Sequence, residues 1–126
     1  EAGRTAWFKD HYTFNARFEK AFAEYVGVKH AVSLPHCTAA IHLSLAAGGI
    51  GPGDEVIVPD VTWIASVAPV VYVGATPIFA DIKKDTWYID PSSVEAAITD
   101  RSRAIIGVEL YRWMADCVEL RRIDNQ

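Results

Sequence analysis

The sequence is poor in cysteine and methionine, carries little net charge, and has no long apolar run. Its two cysteines, Cys37 and Cys117, are too few to staple a small disulfide scaffold. A net charge of −4 leaves no basic footprint with which to displace counterions from a phosphate backbone, so general affinity for nucleic acid is not expected. No apolar stretch approaches the roughly 18–20 residues that cross a bilayer, so a membrane span is not expected either. The opening EAGRTAWFKD has no basic head followed by an apolar core. No signal peptide is visible, and the cytoplasm is the expected compartment. The only Met is Met114 and residue 1 is Glu, which reads as a fragment or a processed product. Repeats and low-complexity tracts are missing. What is present is an apolar fraction of 51% against 22% charged residues, the balance of an ordinary globular domain and not of a disordered chain. At 126 residues the chain is long enough for one core.

Two finer absences matter. Gly49, Gly51 and Gly53 suggest a dinucleotide-binding fingerprint, but GxGxxG then requires glycine at position 54, which is Asp54. The loop also leads from helix to strand, the wrong order, so it reads as a helix stop and a turn. His36, Cys37 and His42 lack the paired spacing of a zinc site, so no metal is expected.

Along the chain, Phe14, Phe18, Phe22, Tyr25 and Val26 recur at helical spacing before Gly27, which predicts an amphipathic helix over Asn15–Val26. His30–Leu34 is a short β-prone run. Thr38–Ala47 is rich in helix formers and stops at Gly48-Gly49. Glu55–Pro59 reads as a buried strand. Thr62–Tyr72 reads as a helix that Pro69 bends or ends early. Thr76–Ile82 is a strand, and Lys83–Ile89 an exposed connection containing a solvated Lys83-Lys84 pair. Asp90 as N-cap and Pro91 at the first helical position start a helix to about Ile98. Ala104–Leu110 is a further strand, and Val118–Ile123 begins a last helix. Strands alternating with helices imply an α/β fold, a mostly parallel sheet with flanking helices. Ligands of such sheets sit at the C-terminal ends of strands. Two stretches are so placed, Pro35–Thr38 and Asp60–Trp63.

In the first, free N–H groups and the positive dipole end of a helix favour an anion, and Thr38 adds a hydroxyl. The competing reading makes Thr38 only an N-cap. Cys37 at a helix start is also a reactive thiol by position, but no base or orienting group accompanies it. In the second stretch, Trp63 is either a platform for a planar ligand or a core residue. Asp81 and Asp85 read as loop acids.

Several segments, taken in order, narrow this. FEKAFAEYVGVKHAVSL, a Thr-Ala-Ala helix, GIGPGDEVIVPDVTWIAS, VYVGATPIFADI, DTWYIDPSSVEAAIT and RAIIGVELY together resemble the DegT/DnrJ/StrS aminotransferases, pyridoxal-phosphate (PLP) enzymes that aminate nucleotide-linked keto-sugars. The resemblance runs from about Phe14 to Asp116. It implies that residues 1–126 are one incomplete domain, part of the large domain of a fold-type-I PLP-dependent transferase, with the small C-terminal domain absent. It implies PLP as cofactor, a nucleotide-sugar substrate, an amino-acid donor and a homodimer. The family turn that holds the cofactor phosphate matches Cys37 and Thr38. The family aromatic that stacks on the pyridine ring matches Trp63. His36 and Cys37 replace the family's polar and small residues there, and its Leu-Tyr-Gly becomes Leu110-Tyr111-Arg112. The family's Schiff-base lysine, and the acid that pairs with the pyridinium nitrogen, match no residue here. None of Lys9, Lys20, Lys29, Lys83 and Lys84 has the matching context. Without that lysine, the covalent anchor and proton shuttle of transamination, the chain is expected to be inactive alone, and no catalytic residue is assigned. The alternative is a non-catalytic remnant that binds PLP or phosphate, or a partner of a full-length subunit.

Overall fold

The computed structural model describes residues 2–110 and 117–124, and side chains within 13–110 and 118–123. It divides into two compact units, residues 1–35 and 36–126.

The first unit holds helix α1, Ala2–Val26, which begins well before the expected Asn15. Gly27 ends it at φ 78°, a left-handed conformation that glycine takes without penalty. The periodic aromatic face is exposed: Phe14, Phe18 and Tyr25 are 71%, 58% and 88% accessible. His30–Leu34, expected as a strand, forms none. A strand requires a neighbour, and here the Ser33 N–H and hydroxyl both donate to the Glu19 carboxylate, each at 2.8 Å, where a ladder would have engaged the backbone. These two bonds, the backbone one foremost, hold the Glu19 carboxyl below its usual range.

The second unit carries the sheet. Its elements are α2 (Cys37–Ala47), β1 (Glu55–Pro59), α3 (Ile64–Tyr72), β2 (Thr76–Ala80), α4 (Pro91–Ala97), β3 (Ser102–Ile105) and α5 (Cys117–Asp124). The strand order is β2-β1-β3 and both pairings are parallel, the α/β class expected. The central strand EVIVP is buried at every position, because helices cover both its faces. Val56 and Val58 point to one face with Leu45, Val67 and Val70 of α2 and α3. Ile57 points to the other, with Ile89, Val94 and Ile123.

Four expected boundaries change. Helix α3 starts at Ile64, two residues late, and continues through the buried Pro69. The strand expected over Ala104–Leu110 is Ser102–Ile105, shifted toward the chain start, with a register irregularity at Glu55/Val56. Strand β2 stops at Ala80; Ile82 makes only an isolated antiparallel bridge with Ile89. That bridge carries Tyr88 and Ile89 into the core, so Lys83–Ile89 is not a wholly exposed connection. Lys83 lies over the Tyr88 ring at 5.2 Å, and its contact with the Tyr88 side chain raises its pKa; it is not one of a freely solvated pair. Helix α4 starts as expected, with the Asp90 carboxylate accepting from Ser92 N at 3.1 Å and Pro91 in its first turn. Tyr111 and Arg112, where the Leu-Tyr-Gly departure falls, lie outside the described residues.

Glu55 is the one buried charged residue of the described core. Its carboxylate accepts from the Thr99 hydroxyl and from the Arg101 guanidinium, through Nε at 2.9 Å and through a terminal nitrogen. The Thr99 bond, followed by Arg101, holds its pKa below the ordinary 4.5. A carboxylate depressed on folding stabilises the protein fully above its unfolded pKa, and that contribution fades as pH falls through the folded value. Thermal melts of Glu55→Gln are therefore expected to lose less stability than the parent on acidification below about pH 4.5. Residual acid sensitivity remains through Glu19. Parallel loss in both proteins would refute the assignment.

Candidate functional site

Chain connectivity brings two helix starts together. Helix α2 enters β1 through a short turn over residues 48–54, closed by Ile50 N–H to the Leu45 carbonyl at 3.0 Å and Gly51 N–H to the Asp54 carboxylate at 3.0 Å. It therefore runs against β1, and its first turn lies at the C-terminal end of that strand. Helix α3 leaves from the same end, and α2 and α3 pack on one face, with His42 edge-on to Tyr72 at 5.9 Å. The chain leaves β1 toward this face and β2 toward the other. Such divergence marks a topological switch point, the usual ligand position of open α/β sheets.

The first turn of α2 offers two free donors. His36, not Thr38, is the N-cap: its backbone is extended and its Nδ1 accepts from Ala39 N–H at 3.1 Å. The His36 carbonyl accepts from Ala39 and Ala40. Among the described residues, the N–H groups of Cys37 and Thr38 have no acceptor, and the Thr38 hydroxyl has no partner. Cys37 is a free, exposed thiol. Two N–H groups, one hydroxyl and the positive end of an 11-residue helix form a cradle with the chemistry of a phosphate site.

Trp63 follows the C-terminal end of β1 as the N-cap residue of α3 and is 76% exposed. The core-packing reading of this tryptophan is thereby overturned, and a large apolar face is left free for a flat ring. Among the described residues no group of three or more His, Cys, Asp or Glu side chains converges, and no helix is long and apolar enough to cross a membrane.

Sequence reasoning missed His36, whose imidazole supplies the acceptor that Ser, Thr, Asp or Asn usually brings. It also missed Ser66, which accepts a hydrogen bond from the Thr62 hydroxyl at 3.0 Å beside Trp63. A Thr and a Ser four residues apart around a helix start were the available signal.

The DegT/DnrJ/EryC1/StrS aminotransferase family matches residues 1–126. The chain belongs to that family. It is 50% identical to GDP-perosamine synthase of Caulobacter vibrioides over 112 residues, which are 89% of this chain and 30% of the relative. Among solved structures it is similar to S. venezuelae DesV, with TM-score 0.84 and 44% identity, over 88% of this chain and 30% of the other. It is also similar to NtdA of Bacillus subtilis with bound cofactor PMP, with TM-score 0.85 and 36% identity, over 89% of this chain and 26% of the other. The chain thus spans between 26% and 30% of the length of these relatives.

Proposed function

We propose that this chain supplies the phosphate-and-ring cradle of a PLP-dependent aminotransferase acting on nucleotide-linked keto-sugars. The observations that support it are the unpartnered donors in the first turn of α2 and the exposed indole of Trp63 at the start of α3, the helix that follows β1. The N–H groups of Cys37 and Thr38 and the Thr38 hydroxyl would hold the phosphate as hydrogen-bond donors in the field of the helix. Trp63 would cover one ring face, orient the ring and exclude water from it. The fit is sound: an anion is complementary to the free donors, and a flat heterocycle to the free indole. PLP, when bound, supplies the electron sink of transamination.

The name of the relative from Caulobacter vibrioides supports a sugar-nucleotide substrate, and that of L-glutamine:2-deoxy-scyllo-inosose aminotransferase of Streptomyces kanamyceticus, 49% identical over 87% of this chain and 26% of the relative, supports an amino acid as donor. Residues 1–126 would form part of one cofactor-binding large domain, working in the cytoplasm. The exposed aromatics of α1 support association with a second copy, as a homodimer.

The chain would provide binding without catalysis. Lys83 is engaged with Tyr88, and Lys20 lies 4.0 Å from Glu24, so neither is poised as a covalent anchor. Incubation with PLP, borohydride reduction and peptide mapping are expected to give no site-specific lysine adduct, and no amino transfer. One stoichiometric adduct at a single lysine would contradict this reading.

A further inference from the structure

Trp63 is anchored in an unusual way for an N-cap residue. Its backbone is extended, at φ −69° and ψ 137°, and its side chain makes no cap hydrogen bond. Indole has a donor and no acceptor, so it cannot take up an orphan N–H of the helix. The first turn of α3 is closed by its neighbours instead. Ser66 N–H donates to the Trp63 carbonyl at 2.9 Å, and the Thr62 hydroxyl donates to the Ser66 hydroxyl at 3.0 Å. The second bond joins the residue before Trp63 to the residue three after it, and so bridges the Trp63 backbone. Thr62 and Ser66 are half-buried while Trp63 is exposed. The ring has little packing to direct it. Its position is set by the backbone that this bond holds.

We propose that Thr62 and Ser66 are positioning residues, a clasp that fixes Trp63 as a pre-oriented platform for the cofactor ring. The inference rests on the cofactor reading above and adds to it the device that aims the stacking face. A platform held in place before binding loses less freedom when the ligand arrives, so the clasp acts on affinity through Trp63.

The test is a double-mutant cycle in the full chain, with pyridoxamine 5′-phosphate as the probe because it has no aldehyde to react with surface lysines. Thr62→Val keeps the shape and removes the donor; it is expected to weaken binding about fivefold, the worth of one neutral hydrogen bond. Thr62→Ser, which restores the hydroxyl, is expected to recover most of that loss. In a Trp63→Ala background, Thr62→Val is expected to cause no further loss, because the residue it acts through is gone. Melting curves establish that each variant is folded, and Ser66→Ala replaces Thr62→Val if the latter is not. Equal weakening in both backgrounds would overturn the clasp, since Thr62 would then act on the site as a whole. Trp63-dependent binding that ignores Thr62→Val and Ser66→Ala would overturn it while leaving the cofactor reading intact. Failure of the parent chain to bind the probe would overturn both.

Discussion

Replacing Ile57 by alanine is expected to cost about 4 kcal/mol of folding stability, since it removes a branched side chain from a site that cannot collapse around the void. Ile57 is fully inaccessible on the central strand. Its strand partners are Ile78 on β2 and Ile105 on β3, and Ile89, Val94 and Ile123 close over it. A loss of that size is a large fraction of the 5–15 kcal/mol that typically holds a domain together, so the variant is expected to melt early or fail to fold. Ile57→Val, which removes one methyl, is the graded control, at about 1 kcal/mol. Val118→Ala is the opposite control: at 80% exposure it is expected to stay within about 0.5 kcal/mol of the parent. Denaturant titration separates the three. An Ile57→Ala cost below that of Val118→Ala would mean that the sheet does not organise the core.

The second large effect concerns ligand affinity. Trp63→Ala is expected to weaken binding of pyridoxamine 5′-phosphate by roughly tenfold or more, in line with aromatic stacking losses of about 1–3 kcal/mol. Thr38→Val is expected to weaken it by about tenfold, because a hydrogen bond to a charged group contributes about 1.5–3 kcal/mol. The two positions serve different ends of the ligand, so the losses should roughly add, to about a hundredfold or more in the double variant. Stability should change little, because the indole is mostly exposed and the Thr38 hydroxyl has no partner within the described structure. Equilibrium dialysis reads the affinities. Binding that is unchanged in the double variant would place the ligand elsewhere.

The parts of the fold legible in the sequence were those decided locally. EVIVP is a continuous apolar run, and burial on both faces follows from it. Asp90-Pro91 carries two independent start signals, and α4 begins there. The parts that were not legible depend on partners distant in sequence. His30–Leu34 has strand-forming residues but spends the Ser33 N–H on Glu19. Thr99 and Arg101, which satisfy Glu55, lie more than forty positions away from it. Pro69 sits inside a helix despite its missing N–H, and its ring is fully buried.

The candidate site shows the same division. Helix chemistry alone pointed to the first turn of α2, and the structure leaves the Cys37 and Thr38 donors of that turn without partners among the described residues. The identity of the cap was not legible, because histidine is an uncommon one and Thr38 is the conventional choice. Whether Trp63 faced core or solvent depended on how far α3 starts beyond β1. An indole two residues farther along the helix would have turned another way.

The most direct test of the cofactor cradle is an amide and indole nuclear magnetic resonance map of the isotope-labelled chain, titrated with pyridoxamine 5′-phosphate. Saturable shifts at the Cys37 and Thr38 amides together with the Trp63 indole N–H are the expected result. Saturable shifts that spare both the first turn of α2 and Trp63, or no saturable shifts, would contradict it.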